Sequence, residues 1–122
     1  MNGFKLKRFN DDKDCDIVGD FNGIEVTIEV KEDVRVLDTG NVVVETRSRG
    51  KPSALATTNA TFWVFRLHLK TGIEHYLVKP KKLKDRIKKG GIFSKEMTHT
   101  DSCNKLWFFK LDQIIELSDW KL

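Results

Sequence analysis

The chain has 122 residues, of which 39% are hydrophobic and 33% are charged, and its formal net charge is +4. This length predicts one domain with a modest core, which the 8 Phe and 3 Trp side chains are large enough to close. No apolar stretch is long enough for a membrane span, and the mild positive charge is compatible with nucleic acid without requiring it. Two isolated cysteines, Cys15 and Cys103, in a chain without a signal peptide predict a reducing, cytoplasmic setting.

Residues 1–13 are basic with scattered apolar positions, and they predict either a short helix or a first strand. From Ile24 to Lys31 apolar and polar residues alternate strictly, which is typical of a half-buried β-strand. Asn22 and Gly23 precede this strand, and this dipeptide is the strongest short signal for a two-residue type I′ hairpin turn. Such a turn fixes the register, so that the numbers of facing residues sum to 45.

In that register Asp16 lies opposite Glu29, and Lys31 lies on the same face of the hairpin. Facing carboxylates, with Cβ atoms about 4.5–5.5 Å apart, repel each other unless a cation neutralises them. Hard divalent ions such as Mg²⁺ take oxygen ligands, and a neighbouring lysine can hold a water or stabilise developing phosphate charge. The pattern therefore predicts a metal-dependent phosphodiesterase site, although alternating charge is also ordinary on a solvent-exposed hairpin face.

Asp16, Glu29, Val30 and Lys31 resemble the signature of the PD-(D/E)XK nucleases. This superfamily includes archaeal-type Holliday junction resolvases, phage recombination nucleases and many restriction endonucleases. The resemblance implies that Asp16 and Glu29 bind Mg²⁺ or Mn²⁺ and that the backbone carbonyl of Val30 is a further ligand. It also implies that Lys31 assists the attacking water. Cys15 stands where a proline usually precedes the aspartate.

A downstream block is similar to small phage-encoded nucleases of the same superfamily. It comprises Thr39-Gly40-Asn41, Glu45, Lys51-Pro52-Ser53 and Thr57-Thr58-Asn59-Ala60. Two positions depart from the pattern, because Ala54 stands where glycine is expected and Thr61 where aspartate is expected. In this superfamily a helix near the amino terminus often carries a further catalytic glutamate. No glutamate precedes Glu25 here, so that role is missing or falls to Asp11 or Asp12.

Three consecutive valines, Val42 to Val44, predict a strand that is covered on both faces and is therefore central in a sheet. Glu45 emerges from the end of this run. It either pairs with Arg47 or a neighbouring lysine, or it supports the metal site together with Ser53.

The middle of the chain predicts a loop over residues 32–41, a short helix over 54–56 and a buried, aromatic-rich strand over 61–69. Thr71 and Gly72 then turn the chain into a further strand over 73–78, which gives a second hairpin. His68 and His75 fall in these strands and are predicted to be packed rather than catalytic.

A basic helix is predicted from Pro80 to Lys89, because proline favours the first helical position and glycines follow its end. Leu83 and Ile87 form one apolar stripe, and cations cover the rest. This face is either simply solvated or contacts the DNA backbone, which would supply salt-sensitive affinity. The predicted nucleic-acid-binding residues are Arg47, Arg49, Lys51, Lys81, Lys82 and Lys88.

The last part of the chain predicts a loop over residues 92–104, a strand over 106–109, and a short strand or helical turn over 111–117. In the loop, His99, Asp101 and Cys103 have a poor spacing for a structural zinc site. Trp120 is expected to pack the end of the chain down.

The predicted fold is α/β, with a mixed β-sheet flanked by helices in a single domain over residues 1–122. The resemblance implies that this fold is restriction-endonuclease-like. The predicted function is a Mg²⁺-dependent DNA endonuclease that hydrolyses phosphodiester bonds in branched or structured DNA, as resolvases do, in a bacterial or phage-infected cell. The expected partners are DNA and a second copy in a homodimer, with no membrane and no nucleotide cofactor. The alternative is a catalytically inactive nuclease-fold module that binds DNA or a protein partner.

Overall fold

The structure is a computed structural model, which describes residues 3–9, 16–99 and 102–122. In chain order its strands are β1 (Phe4–Phe9), β2 (Ile17–Phe21), β3 (Ile24–Asp33), β4 (Asn41–Ser48), β5 (Lys51–Pro52), β6 (Phe62–Leu69), β7 (Gly72–Val78), β8 (Phe93–His99), β9 (Ser102–Lys110) and β10 (Trp120–Lys121). The helices are α1 (Val36–Thr39), α2 (Pro80–Lys89) and α3 (Leu111–Leu117), and a 3₁₀ turn covers Ala54–Ala56. The described part of the chain is thus mixed α/β, as predicted, and consists mostly of strands. None of its helices has the length and apolar character to cross a membrane.

The central hairpin has the predicted register. Asn22 and Gly23 have φ angles of 53° and 85°, the two positive values that a type I′ turn requires. Phe21 faces Ile24, and the pairing continues residue by residue to Ile17, which faces Ile28. The local turn chemistry therefore determines how β2 and β3 align.

The strands form two sheets. One has six strands in the order β1-β2-β3-β6-β7-β10, and the other has four in the order β5-β4-β9-β8. β3 and β6 are parallel, from Ile28 opposite Phe62 to Asp33 opposite Leu67, and the other neighbours in the larger sheet are antiparallel. The predicted mixed sheet is confirmed, but the helices are short and a second sheet covers much of its core-facing side.

The larger sheet has two apolar faces, which we call the inner and the outer face. The inner face carries Trp63, Phe65 and Leu67, which pack in one core with residues of the smaller sheet and with α2 and α3. The outer face carries a separate cluster of Val26, Ile28, Phe62, Val64 and Leu77. Because β6 lies in the middle of the sheet and buries both of its faces, it reads as a continuous apolar run.

Two predicted loops contain regular structure. Residues 93–99 and 102–110 pair as the antiparallel strands β8 and β9, so the loop predicted over 92–104 is wrong. β8 lies at the edge of the smaller sheet, and Phe93 on it is 69% exposed. An exposed edge strand needs no alternation of apolar and polar residues, so the sequence contains no strand signal here. The loop predicted over residues 32–41 holds the end of β3 and the helix α1.

Other predictions have mixed outcomes. The valine run lies in β4 and pairs with β9, whereas β5 pairs only with the end of β4. Val42 and Val44 are buried, but Val43 is 37% exposed. The prediction that both faces of this strand are covered is therefore wrong, because in the described part of the chain the side of β4 that carries Val43 is exposed. The helix α2 runs from Pro80 to Lys89 as predicted. Of the alternatives left open, β1 is a first strand and α3 is a helix.

Candidate active site

Asp16 lies where the hairpin leaves its regular register. Its N–H donates to the Ile28 carbonyl oxygen at 3.0 Å, although Ile28 is already paired with Ile17. Two residues on one side thus oppose one residue of β3, which is the arrangement of a β-bulge, and bulges re-aim side chains. The Asp16 carboxylate consequently accepts a hydrogen bond from the Val30 N–H at 2.7 Å instead of simply standing opposite Glu29.

The main chain of Val30 points to the same edge of β3 as Asp16. The Thr27 carbonyl oxygen accepts a hydrogen bond from the Thr61 N–H at 2.9 Å, so the main-chain groups of Thr27 point toward β6. Successive residues of a strand point their main-chain groups to opposite sides, so those of Val30 point toward β2. The Val30 carbonyl oxygen and the Asp16 carboxylate therefore lie along one edge of β3.

Glu29 and Lys31 lie on the inner face of β3, beside Trp63. Glu29 faces Trp63 in the parallel register, and its side chain is only 20% exposed. The Lys31 Nζ atom lies 3.5 Å from Glu29 Oε1 and 4.9 Å from the centroid of the Trp63 ring. The other carboxylate oxygen, Glu29 Oε2, is buried and has no hydrogen-bond partner in the part of the chain that the structure describes. Because a buried oxygen without a partner is costly, this position favours a bound cation or water.

Asp16, Glu29 and the Val30 carbonyl have the donor chemistry of a hard-cation site. Two carboxylates and a backbone carbonyl are oxygen donors of the kind that Mg²⁺ and Mn²⁺ prefer. Nowhere in residues 3–9, 16–99 and 102–122 do three or more His, Cys, Asp or Glu side chains group in a way that would hold a metal. The set formed by Asp16, Glu29 and the Val30 carbonyl is therefore small, and solvent or substrate oxygens would have to complete the coordination of such an ion.

The two predicted supporting residues contact each other. Ser53 donates a hydrogen bond from its hydroxyl to Glu45 Oε2 at 2.9 Å. No hydrogen bond or ion pair within the described residues joins Glu45 to Arg47, to Glu29 or to Lys31. Glu45 therefore holds the start of the 3₁₀ turn through Ser53, and a supporting role at the metal site stays a prediction.

Both departures from the nuclease pattern have a local structural meaning. Ala54 has a φ angle of 46°, in the left-handed region that favours glycine, which is the residue expected there. Thr61 lies just before β6, where its N–H donates to the Thr27 Oγ1 atom at 3.0 Å. In return the Thr27 N–H donates to Thr61 Oγ1 at 3.1 Å, so Thr61 helps to fix β6 against β3.

The predicted nucleic-acid-binding residues differ in exposure and in whether an acidic side chain pairs with them. Lys82 is joined to Asp119 by a short ion pair, which ties α2 to the end of the chain and leaves less charge for a phosphate. The others, Arg47, Arg49, Lys51, Lys81 and Lys88, are exposed. Arg49 adopts a φ of 51° in the tight turn between β4 and β5, so Arg47 and Lys51 lie on either side of that turn.

A polar network at the outer face was missed in the sequence. Glu32 Oε2 accepts a hydrogen bond from Arg66 Nε at 2.9 Å and lies 3.0 Å from His68 Nε2. Arg66 Nη1 also lies 3.2 Å from His75 Nε2, so both histidines are half-buried parts of a network rather than packed core residues. His68 first and Arg66 second hold the pKa of Glu32 below its usual value. The sequence did contain one signal for this network. The alternation of β3 places Glu32 on the same face as Val30.

Several predicted residues lie outside the described part of the chain. These are Asp11, Asp12, Cys15 and Asp101, together with the side chains of His99 and Cys103. The predictions of an upstream acid and of a poor zinc site therefore stay predictions. No protein-family model, curated protein or solved structure matches this chain. Any assignment of function consequently depends on the geometry around Asp16, Glu29 and Lys31.

Proposed function

We propose that this chain is a Mg²⁺- or Mn²⁺-dependent DNA endonuclease with a restriction-endonuclease-like fold, acting on branched or otherwise structured DNA. One observation carries the proposal. The buried Glu29 Oε2 atom has no partner among the described residues, although Lys31 lies close to the other oxygen of the same carboxylate. A bound cation would give this buried oxygen the partner that it lacks and so offset the cost of burying it.

The positions of the neighbouring groups support the same interpretation. The Asp16 carboxylate and the Val30 carbonyl lie along one edge of β3, next to the residue that carries the unused oxygen. The resemblance to the PD-(D/E)XK signature involves these same residues. The positive φ of Ala54 adds support, because it explains why the similar phage nucleases are expected to carry glycine there.

In this proposal Asp16, Glu29 and the Val30 carbonyl would hold the cation. When bound, the cation supplies Lewis-acid activation of the phosphodiester and a template for in-line displacement. The Lys31 ammonium, which contacts Glu29 and the Trp63 ring, would orient the attacking water. Its charge would also offset the negative charge that develops on the phosphate oxygens in the transition state.

A catalytically inactive module that binds DNA or a protein partner is the alternative. Thr61 favours it, because the superfamily pattern expects an aspartate at this position and the threonine is engaged with Thr27 instead. The two functions differ in one measurable property. An active enzyme needs the Asp16 and Glu29 carboxylates for metal binding, whereas an inactive module does not.

The first test replaces the two acids. Glu29→Gln and Asp16→Asn should each abolish cleavage and remove the stabilisation that Mn²⁺ gives to the wild-type fold in thermal melts. For the wild type, metal at 100 times its dissociation constant should add about 2.7 kcal/mol to the free energy of unfolding. Without metal, Glu29→Gln should be as stable as the wild type or more so, because the charge on a half-buried carboxylate is removed.

A matched control is available on the same strand. Glu25 lies on the same face of β3, is exposed and pairs with Lys7 at 3.3 Å, so Glu25→Gln should keep both cleavage and the metal response. Lys31→Ala should keep the metal response but lose cleavage by about a hundredfold. An equal metal response in the wild type and Glu29→Gln would disprove the site. If the wild type cut no branched, single-stranded or duplex DNA with either metal, the inactive module would be the correct interpretation.

A further inference from the structure

A groove runs between α2, the 3₁₀ turn and the strands β4 and β9, on residues that are separate from the candidate active site. It consists of two adjoining depressions of about 390 and 410 Å³. Three residues, Thr46, Ala56 and Trp107, line both depressions, so the two depressions adjoin at these residues.

The indole ring of Trp107 lies in the middle of this groove in a fixed orientation. Its Nε1–H donates a hydrogen bond to the Thr46 Oγ1 atom at 2.9 Å. The ring is half-buried rather than enclosed, although Trp63, the tryptophan of the inner core, is only 1% exposed. A flat aromatic surface is therefore held rigidly at the groove wall.

The groove is strongly basic. Four cations line it, namely Arg47, Lys84, Lys88 and Lys105, against one carboxylate, Glu96. Lys105 Nζ lies 5.1 Å from the centroid of the Trp107 ring and 3.4 Å from Glu96 Oε1. The Glu96 side chain is 53% exposed, and ion pairs of this kind contribute only about 0–1 kcal/mol. Lys105 must therefore move off the ring before a base can stack there, at the cost of this pair and of a cation–π contact of about 0.5–1 kcal/mol.

We propose that this groove binds a single-stranded segment of DNA, with an unpaired base stacked on Trp107 and its phosphates held by the four cations. A ring between rows of cations is the arrangement by which proteins bind single strands without reading sequence. A purely acidic peptide would use the cations, but it has no flat group for the indole. The inference deepens and rests on the proposed function, because it identifies the structured DNA as DNA with an unpaired strand.

The test measures binding rather than cleavage. A fluorescent deoxythymidine oligonucleotide of about 12 nucleotides, within the usual single-strand site sizes of about 4–16, is titrated with the full chain in EDTA. Trp107→Ala should weaken binding by about tenfold, and Trp107→Phe should recover most of it because a ring remains. Trp120→Ala is the control, since Trp120 packs against Phe21 and Phe62 at the other face of the larger sheet.

Charge variants provide a second measurement that does not alter the ring. Lys88→Ala and Arg47→Ala change exposed side chains, and each should reduce the slope of log affinity against log salt by about 0.7. In a Trp120→Phe background, the oligonucleotide should also quench the fluorescence of Trp107, because Trp63 is buried. These results do not depend on the stability of Trp107→Ala.

Three outcomes would overturn the inference. One is unchanged affinity in Trp107→Ala, and another is equal binding of an abasic strand, which has phosphates but no bases. The third is a Trp107-dependent affinity for polyglutamate as high as that for DNA, which would assign the groove to an acidic protein partner. Glu29→Gln should bind the oligonucleotide like the wild type, so loss of cleavage with intact binding leaves this inference standing. If the wild type cleaves DNA but Trp107→Ala binds the oligonucleotide as well as the wild type, the groove proposal is rejected and the proposed endonuclease function is not.

Discussion

The inner and outer faces of the six-stranded sheet are both apolar, but only the inner face is enclosed. On the inner face Trp63, Phe65 and Leu67 are at most 1% exposed, beneath the smaller sheet and two helices. On the outer face Phe62 and Val64 are 6% and 7% exposed, and Val64 borders an open groove of about 510 Å³. A low exposed fraction therefore has two causes, a covering layer on one side and crowding by neighbours on the other.

The same contrast separates the acidic residues of β3. Glu29 is on the inner face, where the surrounding core leaves one of its oxygens buried without a partner among the described residues. Glu32 is on the outer face, where its side chain is exposed and its Oε2 atom contacts Arg66 and His68. Among the described residues of β3, it is thus on the enclosed face that a carboxylate oxygen is buried without a partner, and the proposed metal site depends on this oxygen.

Two leucines give the most direct test of this contrast. Leu67 on the inner face and Leu77 on the outer face are both 0% exposed. Leu67→Ala should lower the free energy of unfolding by about 3–5 kcal/mol, because an enclosed cavity cannot collapse. Leu77→Ala should cost only about 2–3 kcal/mol, since Leu77 borders the groove and loses fewer packed neighbours. Urea unfolding measures both values. Equal costs would mean that the outer groove is closed in solution.

A smaller effect is expected at the turn that closes the inner core. Ala54 has a φ of 46°, a conformation that costs a residue with a Cβ atom about 1–2 kcal/mol. Ala54→Gly should therefore raise the free energy of unfolding by about 0.5–1 kcal/mol after the entropy cost of glycine. Ala56→Gly in the same turn is the control and should be destabilising. Chemical denaturation of the wild type and the two variants measures these free energies. A loss of stability in Ala54→Gly would show that the backbone at this position is not strained.

The smallest effect concerns pH and the outer face. His68 and Arg66 lower the pKa of Glu32 from its usual value of 4.5. A lowered pKa in the folded state stabilises the fold above pH 4.5, and this stabilisation is lost as the pH falls through the lower, folded value. Wild type should therefore be more stable than Glu32→Gln at neutral pH, and the difference should disappear in acid. Melts from pH 7 to pH 2 measure this, and salt should reduce the difference because the pair is exposed. A difference that persists in acid would have to come from packing.

Local chemistry made part of this structure predictable. The Asn22-Gly23 turn determined the register of β2 and β3, and Pro80 with the glycines after Lys89 marked the ends of α2. Both signals lie within a few residues of the structure that they determine. The same holds for the hairpin of β6 and β7, whose turn Thr71 and Gly72 predicted.

Non-local contacts explain what the sequence did not reveal. β8 is held by its ladder with β9 and has few apolar contacts, so its residues looked like a loop. The inner position of Glu29 follows from the pairing of β3 with β6, which is distant in sequence, so the alternation of β3 alone did not show that Glu29 faces the core. The bulge that turns Asp16 toward Val30 depends on a single backbone hydrogen bond, for which no residue type is diagnostic.

The parallel pairing of β3 and β6 also has a consequence for the order of folding. The β2–β3 hairpin needs only a two-residue turn, and hairpins form in about 1–10 μs. β6 can reach β3 only after residues 34–61 have crossed from one strand to the other, and such distant pairings form slowly. During synthesis Glu29 and Lys31 also leave the ribosome before Trp63 does. A partly made chain can therefore form the hairpin of β2 and β3 without the ring beside Lys31, and it gains the complete proposed site only when β6 docks against β3.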